Sequence, residues 1–71
     1  MDIGLICAMG DEAFREKEWF LAKEWLDLAL AQIGDVEVSH GCKRSWILDI
    51  LSQVEFQVSQ LYYMSTIERG Y

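Results

Sequence analysis

The chain has 71 residues, of which 52% are apolar, and 12 acidic residues against six basic ones give it a formal net charge of −6. This length sets one domain at most, with a core that is only marginally stabilising by itself. The apolar content excludes an acidic disordered tail, and the negative charge excludes nucleic-acid binding through bulk charge. Residues 1–37 hold nine acids and three bases, so the first half carries the whole imbalance.

The first ten residues are predicted to form a short apolar arm with an extended or irregular backbone. Gly4 and Gly10 lie in this stretch, and glycine is unfavourable inside a helix. Asp11 suits the N-cap of a following helix, because Glu12 and Glu16 come where the helix dipole favours negative charge. The arm is therefore taken to cover residues 1–10.

A first helix is predicted over residues 11–33, because its apolar side chains recur at helical spacing. They span an arc of about 200° on the helix surface, and charged residues fill most of the remainder. Gly34 follows the last apolar position and suits the left-handed residue that ends a helix. The connection then runs to about Gly41.

A second helix is predicted over residues 42–69. Its apolar seam consists of Ile47, Leu51, Val54, Val58, Leu61 and Tyr62. Two helices joined by a short connection pack as an antiparallel hairpin. The predicted fold is thus all-α, with residues 1–71 forming a single helical-hairpin domain.

The apolar surface of the first helix exceeds what a hairpin can bury. A stripe of about 100° is enough for one packing partner, whereas this helix has roughly twice that width. Two hairpins related by a two-fold axis would cover the excess as a four-helix bundle, so a homodimer is predicted. The side chains assigned to the dimer interface are Trp19, Leu21, Trp25, Leu26, Leu28, Leu30 and Ile33.

Two further surfaces are predicted to bind a partner protein. On the second helix, an aromatic and aliphatic patch lies away from the seam, and tryptophan and tyrosine are enriched at binding hot spots. On the first helix, the acidic face suits a basic protein surface. The predicted partner-binding residues are Trp46, Phe56, Tyr63, Met64, Ile67, Glu16, Glu24 and Asp27. The sequence leaves open whether the patch around Phe56, Tyr63 and Ile67 is the target site or the dimer interface.

Cys7 and Cys42 are the two cysteines, a number typical of a reduced intracellular protein, since small secreted domains usually carry more. A Cys7–Cys42 bridge stays open as an alternative. Asp2 stands where a signal peptide needs positive charge, and no apolar run approaches the ~18–20 residues of a membrane span. These features predict a cytoplasmic location without membrane contact.

The stretch from Ser39 to Cys42 is the part of the sequence that most resembles a chemical site. His40 and Cys42, with Glu37 and Cys7, offer zinc-binding groups, but structural zinc sites show paired Cys or His spacings and only one half is present. A polar connecting loop is the favoured interpretation. No group orients a Cys–His nucleophile, and no phosphate-binding loop is present. The sequence therefore predicts no metal, no cofactor and no enzymatic activity.

The favoured function is a small protein–protein interaction factor that binds a larger protein and modulates or inhibits it. In size, acidity and lack of a catalytic motif, the chain is similar to accessory proteins of phages and mobile elements that inhibit host proteins. No motif carries this general likeness. Because the acidic first helix suits a basic surface, a DNA-binding transcription factor is a predicted target. The alternative is a structural or chaperone-like subunit of a hetero-oligomeric assembly such as a secretion system. Direct DNA binding is disfavoured, because no basic recognition helix is present.

Overall fold

The computed structural model describes the backbone of residues 2–69 and the side chains of residues 2–64. The described residues form three helices and one short hairpin, in the order α1 (Ile3–Arg15), α2 (Trp19–Ile33), β1 (Val38–Ser39), β2 (Cys42–Lys43) and α3 (Arg44–Arg69). The predicted all-α class is confirmed in broad terms, since the two strands have only two residues each. The predicted two-helix organisation is wrong, because a third helix precedes the other two.

Residues 3–10 of the predicted N-terminal arm belong to helix α1. Asp2 has extended backbone angles and its carboxylate accepts a hydrogen bond from the backbone amide of Gly4 at 3.3 Å, so Asp2 is the N-cap. Asp11, the predicted N-cap, lies inside α1 and pairs with Arg15 at 3.1 Å. Gly10 is buried in the helix, where its missing side chain allows α2 to approach closely.

The predicted single helix over residues 11–33 is interrupted at residues 16–18. Lys17 adopts a left-handed conformation with φ of 61°. The amide of Glu18 donates to the carbonyl of Ala13, and that of Lys17 donates to the carbonyl of Phe14. These are the two hydrogen bonds of a Schellman motif, which usually has glycine at the left-handed position. The motif ends α1 and reverses the chain into α2.

Helix α2 is the central element, because it packs against both α1 and α3. Ala22 and Ala29 are fully buried on α2, and such small side chains let neighbouring helices come close. The core combines side chains of all three helices and β2: Ile3, Ile6, Cys7, Ala13, Ala22, Leu26, Ala29, Ile33, Cys42, Ile47, Ile50, Leu51 and Val54. The N-terminal part of the predicted α3 seam is therefore confirmed as core.

The connection between α2 and α3 contains a β-hairpin that the sequence analysis did not predict. Ser39 pairs with Cys42, and the two residues between them, His40 and Gly41, both have positive φ, at 51° and 78°. This is the backbone pattern of a type I′ turn. Gly34 ends α2 with φ of 59°, which confirms the predicted helix end.

A disulfide joins Cys7 of α1 to Cys42 of β2, with their Cα atoms 6.5 Å apart. The prediction of reduced cysteines is therefore wrong. The link ties the N-terminal helix to the hairpin across a sequence separation of 35 residues.

Helix α3 begins two residues later than predicted and ends at the predicted residue. Near the start of α2, Phe20 meets Tyr62 edge to face, with ring centroids 6.2 Å apart. The described helix then continues for seven residues, about 10 Å, beyond Tyr62. No helix within the described range is both long and apolar enough to span a lipid bilayer.

Candidate functional site

The loop that resembled a zinc site holds a disulfide and a small polar contact. Cys7 and Cys42 are bonded to each other, so neither offers a thiolate to a metal. The Nδ1 atom of His40 lies 3.0 Å from the Ser39 hydroxyl and 4.0 Å from an Asp2 carboxylate oxygen. Among the described side chains, no group of three or more His, Cys, Asp or Glu residues is placed to hold a metal ion. This arrangement ties the hairpin turn to the start of α1.

A shallow groove of about 370 Å³ lies beside the disulfide. Its lining residues are Gly4, Cys7, Ala8, Asp11, Gly41, Cys42, Lys43 and Trp46. Trp46 is half-buried and packs against the core. Trp46 also lines the groove, and its assignment to partner binding stays a prediction.

The C-terminal half of α3 presents large apolar side chains to solvent. Phe56, Tyr63 and Met64 are 60%, 67% and 56% exposed. All three were predicted from the sequence to bind a partner, and their exposure leaves them accessible. Leu61 and Tyr62, predicted to lie in the buried seam, are also exposed. We call these five residues, Phe56, Leu61, Tyr62, Tyr63 and Met64, the α3 apolar surface. Ile67, predicted to join them, lies outside the described side chains.

Exposure of Leu61 and Tyr62 follows from the lengths of the helices. Leu61 lies at a seam position that would be buried if α2 continued alongside α3. Helix α2 begins near this level, because its Phe20 contacts Tyr62 of α3. The described part of α3 beyond Tyr62 extends past the start of α2, and Tyr63 and Met64 are exposed there.

Of the three acids assigned to partner binding, Glu24 and Asp27 lie about one turn apart on α2, and Glu16 lies at the end of α1. Asp27 is paired with Lys23 across one helical turn, with Nζ 2.8 Å from Oδ2. This hydrogen bond, together with the charge of Asp27, raises the pKa of Lys23. Glu24 is exposed on α2, whereas Glu16 lies at the rim of a second groove. The structure therefore does not gather these acids into one face.

The second groove lies between α1 and α2 and has a volume of about 150 Å³. Its lining residues are Met9, Glu12, Ala13, Glu16, Glu18, Leu21 and Trp25. We call it the acidic groove, because its charged lining residues are glutamates. Sequence reasoning missed Met9 and Glu12 as its members, since it placed residues 1–10 in an arm and Glu12 at a helix start.

The residues assigned to a dimer interface are mostly used within one chain. Leu26 and Ile33 are core residues, and Trp19, Trp25 and Leu30 are half-buried against that core. Leu21 and Leu28 remain exposed. Helix α1 therefore covers much of the surface for which a second copy was invoked.

The chain matches no protein-family model, no curated protein and no solved structure. Its function therefore has to be inferred from the geometry of its own surfaces.

Proposed function

We propose that the chain is a small, non-enzymatic protein-binding factor that docks onto a larger protein through the α3 apolar surface and modulates its activity. The observation that carries this proposal is the exposure of five large apolar side chains on one helix end. Exposed apolar patches are characteristic of interaction sites, and tyrosine is enriched among residues that dominate binding energy.

The bundle provides a rigid support for this surface. Val54 and Val58 flank Phe56 in the sequence of α3. Val54 is fully buried, and Val58 packs against the core. The exposed residues therefore continue a helix that the core already fixes, so little ordering entropy is lost on binding. Loss of three of these side chains should weaken binding without unfolding the domain.

A homodimer is the second candidate, and the same surface favours it. Because Leu26 and Ile33 are already buried within one chain, a four-helix bundle built on the broad face of α2 is not needed to bury them. Two copies paired through their α3 apolar surfaces would instead cover Phe56, Tyr63 and Met64. The two candidates differ in molar mass, which light scattering measures directly.

The test uses a triple variant, Phe56→Ala, Tyr63→Ala and Met64→Ala. Its matched control is Val36→Ala, Val38→Ala and Leu48→Ala, which removes three apolar side chains exposed elsewhere. Light scattering reports the oligomeric state, and affinity capture followed by mass spectrometry reports the bound proteins. We expect a protein that the native chain and the control retain and the triple variant loses.

Three results would contradict docking through the α3 apolar surface or assign the surface another role. If the native chain is a dimer, the triple variant is a monomer and the set of captured proteins is unchanged, the α3 apolar surface serves self-association. Equal capture by all three forms contradicts the proposal. An aggregated or molten product when the chain is expressed alone favours instead a structural or chaperone-like subunit of a larger assembly.

The cytoplasmic location stays a prediction, and so does a DNA-binding regulator as the target. The disulfide argues against a cytoplasmic location, because disulfides persist mainly in oxidising compartments. Alkylation of free thiols in intact cells, followed by a mass-shift gel, tests the point. A protein with both cysteines alkylated would support the reducing cytoplasm, and an unmodified one would contradict it.

A further inference from the structure

We propose that the acidic groove binds a cationic amphipathic helix of a partner protein. This surface is separate from the α3 apolar surface, so the inference goes beyond the function proposed above. The observation that carries it is the combination of an apolar floor with a rim of one charge sign. Met9, Leu21 and Trp25 supply apolar surface, and the charged lining residues are Glu12, Glu16 and Glu18.

The geometry matches the helix-in-groove mode of recognition. Helices α1 and α2 pack side by side, and the groove lies on the surface at their junction, where an amphipathic helix can lay its apolar face. The groove has a volume of about 150 Å³ and is open to solvent on one side. It is therefore large enough to accept one leucine- or phenylalanine-sized anchor of the partner.

The rim specifies the charge of the partner. The nearby bases do not neutralise it, because Arg15 is paired with Asp11 and Lys23 with Asp27. Lys17 lies in the turn after Glu16 but does not line the groove. Lysine or arginine residues flanking the apolar anchor would meet Glu12, Glu16 and Glu18, whereas an anionic lipid surface or a nucleic acid would be repelled.

The apolar strip continues beyond the groove along both helices. Leu5 precedes Met9 by one turn of α1, and Leu28 follows Trp25 by nearly one turn of α2; both are exposed. A helix of about 18 residues, roughly 27 Å long, is more than long enough to follow this strip and to reach the acidic rim. The partner segment is therefore a helix with one apolar and one basic face.

The experiment uses a synthetic, fluorescently labelled peptide of about 18 residues, with leucines and a central phenylalanine on one face and lysines on the other. Polarisation measures its binding to the full chain at physiological ionic strength. Two comparison peptides replace the lysines by glutamine or the phenylalanine by alanine. We expect saturable binding of the first peptide, and binding weakened roughly tenfold by either replacement.

A matched pair of protein variants tests the site itself. Glu12→Gln, Glu16→Gln and Glu18→Gln neutralise the rim, and Asp35→Asn, Glu37→Gln and Glu55→Gln remove the same charge from exposed positions elsewhere. Circular dichroism confirms that both remain folded. We expect the rim variant to bind roughly tenfold more weakly than the control variant.

Three results would overturn the proposal. The first is the absence of binding to the native chain. The second is an equal loss in both protein variants, which would assign binding to overall charge. The third is equal binding of the peptide without the phenylalanine, which would show that the groove takes no anchor.

Discussion

Gly10 of α1 lies directly against Leu26 of α2. A Cβ atom placed at Gly10 would come within 2.9 Å of Cδ2 of Leu26 and 3.4 Å of Cβ of Trp25. Leu26 is fully buried, so its side chain has little room to move. The glycine that seemed to argue against a helix in the N-terminal segment is thus what allows α1 and α2 to pack at this distance.

We therefore expect Gly10→Ala to destabilise the domain. Alanine gains up to about 1 kcal/mol in helix propensity, but overpacking a core costs about 1–3 kcal/mol, so a net loss of about 1 kcal/mol follows. Denaturant unfolding monitored by circular dichroism measures it.

The background variant Leu26→Ala provides the control for this prediction. It removes the atoms that Gly10→Ala would strike, so within that background the same substitution should be neutral or stabilising. A loss of equal size in both backgrounds would show that the contact with Leu26 is not the cause.

The Cys7–Cys42 disulfide is expected to contribute about 3–4 kcal/mol, because it closes a loop spanning 35 positions in the unfolded chain. A domain of this size is stable by only about 4–11 kcal/mol, so the loss is large. The variant Cys7→Ala with Cys42→Ala should melt at a distinctly lower temperature in a thermal scan.

Reduction of the native chain provides an independent check. A dithiol reductant should lower the melting temperature of the native chain to near that of the double variant and leave the variant unchanged. An unchanged melting temperature after complete reduction would contradict a stabilising role for the bond.

Features of the fold that depend on residues close together in the sequence could be predicted, whereas those that depend on distant residues could not. Ile47, Leu51 and Val54 repeat every three or four residues, so local periodicity was enough to predict their helix and its buried face. Gly10 could not be interpreted locally, since its benefit depends on Leu26, which is 16 positions away. Because that contact could not be foreseen, residues 1–10 were predicted to form an irregular arm instead of part of a helix.

The break at Lys17 had no sequence signal of the usual kind, because the left-handed position is held by lysine rather than glycine. The exposed part of the candidate site was partly predictable: Phe56 and Tyr63 lie off the seam and are exposed. The acidic groove was not, because Met9 and Trp25 come together only once α1 folds back on α2.

The ion pair between Lys23 and Asp27 predicts a pH dependence. The hydrogen bond to Asp27, then its charge and that of Glu55, raise the pKa of Lys23, while slight burial opposes them. A raised pKa means that the pair stabilises the fold fully below the ordinary lysine pKa. That stabilisation is lost as the pH rises through the pKa of the folded state.

Asp27→Asn should bring the pKa of Lys23 back toward its ordinary value and cost only a few tenths of a kcal/mol near neutral pH. Side-chain NMR titration of the lysine amine measures the pKa. Glu24→Gln is the control, since Glu24 makes no ion pair in the described part of the chain and should leave the Lys23 titration unchanged. An equal shift in both variants would contradict the pairing.

Glycine is required at position 34 because of its backbone angles and not because of crowding by neighbouring atoms. Its φ of 59° and ψ of −127° lie where side-chain-bearing L residues are strained, yet a Cβ atom placed there would meet nothing within 4 Å. Gly34→Ala should therefore destabilise the domain by about 1–3 kcal/mol, as measured by denaturant unfolding.

The chain is short enough for chemical synthesis, so D-alanine can be placed at position 34. This substitution distinguishes backbone strain from crowding around the Cβ atom as the cause of destabilisation. The mirror image of these angles is a favoured extended conformation for an L residue, so the D residue fits without strain. It also restricts the unfolded chain, and we expect a gain of about 0.4–1 kcal/mol over glycine. Destabilisation by both L- and D-alanine would show that the Cβ atom itself is excluded, contrary to the open space around Gly34.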